Sequence, residues 1–392
     1  MAIFICRGNN MHRAWLEINI NSLIHNINET KRIVAPNTQI MAIVKADGYG
    51  HGAPAVSRIF LENGASRLGV ATIEEARHLR KSGISAPILV LGHTEYDQTD
   101  SAILNSVAMT ISKWEQAVIL SRKAVSLSNS VIIHIKIDTG MGRLGFVPDG
   151  DSLQAIERIK SLPGVTIEGI FTHFSTSDGT DDAYMQKQWK VFSCFLNQLA
   201  QRKIHIPIKH AANSAAIINH PNTHIDMVRA GIMLYGLYPS PDTNTGKVDL
   251  SPAMSLKTRV SHVKKVERGT SLSYGRTYIT SQRQRIATLP IGYADGFSSV
   301  FSNNAEVLID SEKVPVVGRI CMDQCLIDVT NVKNEVLVGD EVILLGRQGK
   351  HEITAEQWAK KLGTINYEVV TRFGARISKN YTCFNSSENN FI

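Results

Sequence analysis

The chain has 392 residues, a formal net charge of +7 and 43% hydrophobic residues, enough apolar content for about two to three buried cores at the usual domain size. Its Lys and Arg residues are scattered, with no basic block and no aromatic–basic stripe, so nucleic acid is excluded as the expected partner despite the charge. Cys6, Cys194, Cys321, Cys325 and Cys383 are odd in number and mostly far apart, which argues against a secreted disulfide framework, and Cys321 and Cys325 lack the further Cys/His pair that a zinc site needs.

Ala2 to Cys6 is apolar but too short for a signal-peptide core, and no stretch approaches a membrane span, so a cytoplasmic protein without a membrane partner is expected. Residues 1–12 read as an N-terminal extension, because patterned sequence begins near Trp15 and Met11 offers a second candidate start. The first strong element is Ile40–Val44, an apolar run of strand length that ends on Lys45 and breaks into the glycine-rich turn Ala46-Asp47-Gly48-Tyr49-Gly50-His51-Gly52. An ammonium capping a buried strand, half out of water, should titrate below the free value of about 10.4, as an amine must to form and exchange a Schiff base. A solvated lysine followed by an Asp-Gly hairpin turn is the bland alternative.

Seven more runs follow: Leu68–Ala71, Pro87–Leu91, Ala108–Ile111, Val131–Ile137, Ile167–Phe171, Ile206–Lys209 and Ile225–Ala230, interleaved with helical patterns. Eight such units predict a parallel (β/α)₈ barrel of the TIM type, with an open doubly wound sheet as the rival. A barrel places its chemistry where strands end. Reactive residues do follow the runs: Lys45 the first, Arg143 the fifth, His173 the sixth, Asn213 and Ser214 the seventh, Arg229 to Ile232 the eighth.

Gly140-Met141-Gly142-Arg143-Leu144-Gly145 matches G-x-G-x-x-G but follows the fifth strand and is separated from any helix by Val147-Pro148, so a nicotinamide site is not expected. These glycines instead bend a loop so that Arg143 can reach inward. Ser214 reads either as a helix N-cap or as part of an anion site at a helix N-terminus, the kind that recurs after the seventh and eighth barrel strands. Gly231 would let a backbone N–H approach a phosphate, with Ile232 beside it. Asp226 lies at odd spacing from Arg229 and so on the opposite strand face.

After Pro239-Ser240-Pro241 the pattern changes to short β-rich runs, Met254–Val266, Arg285–Leu289, Glu306–Ile309, Val314–Val317, Cys325–Val329 and Glu341–Leu345, interrupted by one helix over Ala355–Leu362. The expected organisation is an extension over 1–12, a barrel domain over 13–244 and a mostly β C-terminal domain over 245–392, with a frayed polar tail at Asn385 to Asn390.

Val44-Lys45-Ala46-Asp47-Gly48-Tyr49-Gly50-His51-Gly52 resembles the lysine motif of the alanine racemases, a family of barrel-type pyridoxal-phosphate enzymes. Asp138 to Gly145, Ser271-Leu272-Ser273-Tyr274-Gly275, Gly292-Tyr293-Ala294-Asp295-Gly296, Gly318 to Gln324 and Ile365-Asn366-Tyr367-Glu368-Val369 are similar to further segments of that family, in the same order across both domains. The resemblance implies pyridoxal 5'-phosphate on Lys45, with Tyr49 and Tyr367 at its phosphate and His173 stacked on its ring. It implies that Arg143 bonds the phenolic oxygen and the substrate carboxylate, steadied by a Lys136 that can be carbamylated. Arg229 would face the pyridine nitrogen, where related decarboxylases place a carboxylate.

By the same resemblance Lys45 and Tyr274 are the two bases of a racemisation, Tyr274 reaching the site from the partner subunit of a homodimer. Tyr293 lines the entrance, and the Met322 N–H, with Asp323 beside it, holds the substrate carboxylate. A chain Tyr274, His173, Arg229, His210 would help the phenol to act as a base. Alanine is the implied substrate, supplying D-alanine for peptidoglycan. Serine or a broader set of amino acids, a decarboxylase of the same barrel class, and a pyridoxal-phosphate carrier are the alternatives.

Overall fold

The computed structural model describes residues 12–179, 182–243 and 245–383; most of the expected extension over 1–12, Cys6 and the polar tail Asn385 to Asn390 lie outside them. The chain divides into two compact units, one formed by Ser22–Pro252 and the other by the residues up to Asn21 together with those from Ala253 onward.

Strand β1 (Ala14–Asn19) opens the second of these units. The first unit is a closed barrel of eight parallel strands, β2 (Gln39–Ile43), β3 (Arg67–Val70), β4 (Ile88–Val90), β5 (Val107–Ile111), β6 (Val131–Lys136), β7 (Val165–Phe171), β8 (Ile208–His210) and β9 (Met227–Ala230), each paired with the next and β9 closing on β2. All eight expected runs are barrel strands. They are legible because a parallel strand covered on both faces reads as an unbroken apolar run. Three of the helices between them begin on side-chain caps: Thr72 and Glu75 form a reciprocal capping box, Asp149 accepts from Ser152 N and Asn213 from Ala216 N. No helix among the described residues is long and apolar enough to cross a membrane.

The other unit is built on strands β10 (Met254–Arg259), β11 (His262–Val266), β12 (Ser271–Leu272), β13 (Tyr278–Ile279), β14 (Gln284–Leu289), β15 (Glu306–Ile309), β16 (Glu312–Val317), β17 (Cys325–Asp328), β18 (Glu341–Gln348), β19 (His351–Ile353) and β20 (Ser378–Thr382). Its main sheet runs β11-β14-β17-β16-β15-β18-β10-β1-β20, with β19 against β18 and β12 and β13 as a separate hairpin.

Four expectations are corrected here. The barrel unit spans Ser22–Pro252 rather than 13–244, because β1 pairs antiparallel with β10 and parallel with β20; a short alternating strand does not reveal so distant a partner. Met254–Val266 is two strands rather than one run. A second short helix, Asn366–Thr371, follows Ala355–Leu362. Arg229 lies within its strand rather than after it.

Candidate active site

Reactive side chains gather at the C-terminal ends of the barrel strands. The strand before Lys45 ends at Ile43, and the chain then enters a left-handed helical turn in which Ala46, Asp47, Gly48 and Tyr49 have φ of 51°, 53°, 63° and 50°. Only Gly48 adopts this region without steric cost. The turn is held by Gly48 N donating to Val44 O at 2.9 Å, by Asp47 Oδ1 accepting from Ala53 N at 2.8 Å and by Glu75 Oε1 accepting from Ala46 N at 2.6 Å. Lys45 remains accessible to water. Even so, desolvation by the surrounding protein, and then the Arg143 cation, lower its pKa from the ordinary lysine value.

Arg143 sits on the loop that follows β6. Asp138 Oδ1 accepts from Gly140 N at 2.9 Å and Gly142 N at 3.0 Å, Tyr184 donates to Gly140 O at 2.8 Å, and Phe146 N returns to Lys136 O at 2.8 Å. Gly145 lets the loop close, since a Cβ there would lie 2.5 Å from Asp138 N. Lys136, only 4% exposed, donates to Ile137 O at 3.0 Å. Burial, then the Arg229 charge, bring its pKa down to about 7.

Arg229, like Lys136, is only 4% exposed. It donates to Thr172 O at 2.9 Å and Ala211 O at 2.8 Å, and lies 3.1 Å from both His173 Nδ1 and His210 Nδ1. Burial, then Arg143, lower its pKa to about 9, so it is still a cation at neutrality. The same burial and the Arg229 charge hold His173 and His210 well below the ordinary imidazole value. Both rings are neutral and can accept from the guanidinium. Asp226 is turned elsewhere, accepting from Lys209 N at 2.7 Å and Nζ at 3.1 Å.

The segment after β8 corrects one expectation: Asn213, not Ser214, caps the short helix Ser214–Asn219, its Oδ1 accepting from Ala216 N at 3.0 Å and from the Ser177 hydroxyl at 2.9 Å. Ser214 Oγ instead accepts from Gly231 N at 2.9 Å. A Cβ on Gly231 would lie 3.0 Å from Tyr49 Oη and 3.4 Å from Ser214 Oγ. Two hydroxyls and a backbone N–H therefore converge on a spot that only glycine leaves open, beside Ile232. This arrangement fits an anionic ligand carrying a phosphate, and Lys45, Arg143 and Arg229, which all act on His173, add positive charge at the same strand ends.

In the other unit, Tyr274 is 70% exposed on a turn after β12, between Ser273 at φ 61° and Gly275 at φ 69°. The turn lies against the Gly318–Cys321 segment, with Ser273 Oγ donating to Arg319 O at 2.5 Å. Tyr293 and Met322 are on two loops tied together by Tyr293 N to Cys321 O and Ala294 N to Met322 O, both 3.1 Å. The Met322 N–H has no partner among the described residues. Asp323 accepts from Arg376 at 2.6 Å, and Arg376 also lies 3.4 Å from the buried Asp295 carboxylate, which fixes both loops. Tyr367 is half-buried on the helix Asn366–Thr371.

Some contributors were not read from the sequence. Glu75 holds the lysine turn, and the Thr172 carbonyl orients Arg229. His134, Glu168 and Arg67 extend the histidine–arginine cluster into the barrel. His134, two residues before Lys136, shares its strand face, and that spacing was available; nothing local marks Glu168.

Residues 18–239 match the family model described as alanine racemase, N-terminal domain, and residues 253–381 match that described as alanine racemase, C-terminal domain. An alanine racemase of Methanococcus maripaludis is 49% identical over 370 residues, 94% of this chain and 99% of its own length. One of Desulforamulus reducens is 47% identical over 367 residues, 94% and 98% of the two chains. Among solved structures, the alanine racemase of Clostridium difficile 630 superposes with a TM-score of 0.92 at 41% identity, covering 95% of this chain and 97% of that one. A histidine racemase from Leuconostoc mesenteroides subsp. sake does so with a TM-score of 0.88 at 28% identity, covering 96% and 99%.

Proposed function

The chain belongs to the alanine racemase family, and from that membership we propose that it interconverts L-alanine and D-alanine with pyridoxal phosphate as cofactor and Lys45 and Tyr274 as opposed bases. Arg229 carries the assignment: a buried guanidinium, fixed by two neutral histidines, would face the ring nitrogen, where a decarboxylase of this barrel class would want a carboxylate.

When bound, pyridoxal phosphate makes the Cα proton of an attached amino acid removable. Lys45 would hold the cofactor covalently. Gly231 N–H, Ser214 Oγ and Tyr49 Oη would take its phosphate, with Asn213 shaping the turn, Ile232 beside it and Tyr367 as a further contact; His173 would pack on its ring. Arg229 would present a permanent cation to the ring nitrogen and disfavour its protonation, which limits side reactions such as transamination. Arg143 and the Met322 N–H would bind the substrate carboxylate. Lys45, as the free amine, moves the proton on the D face and Tyr274 moves it on the L face.

The exposure of Tyr274 suits a phenol offered to a second copy, so a homodimer with shared active sites is part of the proposal, as are a cytoplasmic location and the supply of D-alanine for peptidoglycan. Tyr293 and Tyr367 are bulky enough to crowd a small substrate. A structural neighbour named for histidine makes serine, or a broader range, the second reading. Purified protein given L-alanine in deuterium oxide should form D-alanine and incorporate deuterium at Cα. Ethylamine without D-alanine would identify a decarboxylase, and serine turned over as fast as alanine would select the broader reading.

Lys136 bears on how Arg143 is held. With its pKa brought down to about 7, roughly half of the amine is unprotonated at neutrality, and a free amine adds carbon dioxide to give a carbamate and one proton. The new anion would pair with Arg143. In ¹³C-bicarbonate a carbamate signal should therefore grow as pH rises through about 7 and be missing from Lys136→Met. A silent wild-type spectrum above that pH would leave Arg143 without this support.

A further inference from the structure

The hydrogen-bonded file that holds Arg229 continues past His210. His210 Nε2 lies 2.9 Å from His134 Nδ1, His134 Nε2 lies 2.8 Å from Glu168 Oε2, and Arg67 donates to the same oxygen at 2.7 Å. Arg67 is on β3 and Glu168 on β7, opposite each other across the barrel. His134 and His210 are both 0% exposed. The interior of such a barrel is ordinarily filled by branched aliphatic side chains. A polar file there is costly unless every donor meets an acceptor.

The two ends of the file allow only one arrangement of protons. The Glu168 carboxylate, held down to a pKa of about 2 first by its bond to His134, can only accept, and the Arg229 guanidinium can only donate. His134 must then carry its hydrogen on Nε2 and leave Nδ1 bare for His210. His210 must in turn carry its hydrogen on Nε2, leaving Nδ1 bare for Arg229. A second proton on either ring would set one N–H against another, and burial already lowers both imidazoles.

The backbone is shaped for this file. Strand pairing between β6 and β7 shifts at Ile133/His134, with Ile133 opposite Ile167 and His134 opposite Gly169. Glu168 is the extra residue of this bulge, which turns its side chain inward against the alternation of the strand. A Cβ on Gly169 would lie 2.2 Å from His134 Nδ1, so the ring lies flat on a glycine.

We propose that Glu168 and His134 are positioning residues for Arg229, acting through His210: they lock the Nε2–H tautomer of His210 so that its Nδ1 lone pair always faces the guanidinium. The proposal deepens the racemase reading and rests on Arg229 serving the cofactor's ring nitrogen. Without the anchoring acceptor, His134 can reverse its tautomer, His210 follows, and donor then faces donor at Arg229.

The test is ¹⁵N-histidine NMR of the full-length purified protein, wild type, Glu168→Gln and Glu168→Met, with signals assigned by single histidine substitutions. Wild type and Gln, whose amide oxygen still accepts, should show hydrogen on Nε2 of both His134 and His210. Met should show a population of His210 with hydrogen on Nδ1, and its kcat should fall about tenfold, the scale of one charge-assisted hydrogen bond, while Gln stays within about twofold. Hydrogen on Nδ1 of His210 in the wild type overturns the proposal, and so does a tautomer unchanged in Met. A shifted tautomer with unchanged kcat overturns the positioning role. If the Met variant does not fold, the wild-type and Gln spectra still decide the tautomer. Cofactor absorbance unaltered in Arg229→Lys would instead remove the premise about Arg229, whatever the histidines show.

Discussion

Lys45→Ala is expected to lower racemisation by at least about 10⁴-fold while leaving the fold intact, because it removes both the proposed covalent anchor and one of the two proposed bases. The substitution deletes only atoms beyond Cβ. The left-handed turn is secured by groups that do not involve the Lys45 side chain, namely the Asp47 carboxylate, the Glu75 carboxylate and the Val44 carbonyl. Strained backbone of this kind costs of order 1–3 kcal/mol at each non-glycine residue and persists where surrounding contacts over-determine it. The lowered lysine pKa makes the free amine more available near neutrality than in an ordinary lysine. Borohydride reduction followed by peptide mass mapping should place an adduct on Lys45 in the wild type and on no residue of the variant. An adduct on a different lysine would overturn the assignment.

Tyr274→Phe should lower racemisation by about 10²–10⁴-fold, the usual contribution of a general acid–base group. The loss must be equal in the two directions, since L- and D-alanine are equally stable and the catalyst cannot alter their equilibrium. Isotope exchange separates the two faces where rates of conversion cannot. In deuterium oxide the variant should still wash the Cα proton out of D-alanine, through Lys45, and exchange L-alanine far more slowly. Faster exchange of L-alanine would reverse the two roles. Tyr274 is 70% exposed in the single chain, so exchanging its hydroxyl for hydrogen removes no buried contact within the chain, and a change in the stability of its own fold beyond about 0.5 kcal/mol is not expected.

Much of the proposed catalytic apparatus can be read along the chain because barrel chemistry is tied to strand ends. Lys45, Arg143 and His173 all follow apolar runs, and the structure places them at the mouth of the barrel unit with Arg229. Ser214 shows how local reading falls short. A serine at the start of a helix looks like a cap, but Asn213 takes that role and frees the Ser214 hydroxyl for Gly231. Capping preferences do not choose between two adjacent competent residues; the partner across space does.

The sequence by itself determined the eight barrel strands, the change to a β-rich C-terminal half and the lysine, arginine and tyrosine motifs, because those follow from runs of apolar residues and from short contiguous segments. Only the tertiary structure decided that β1 belongs with β10 and β20, and that four successive residues after Lys45 turn left-handed. It also decided that Glu168 points into the barrel. Each of these draws on contacts between residues far apart in the chain: a sheet partner, the Glu75 carboxylate that helps to hold a strained turn, and a bulge against a neighbouring strand that reverses the facing of one side chain. Local periodicity carries no record of them.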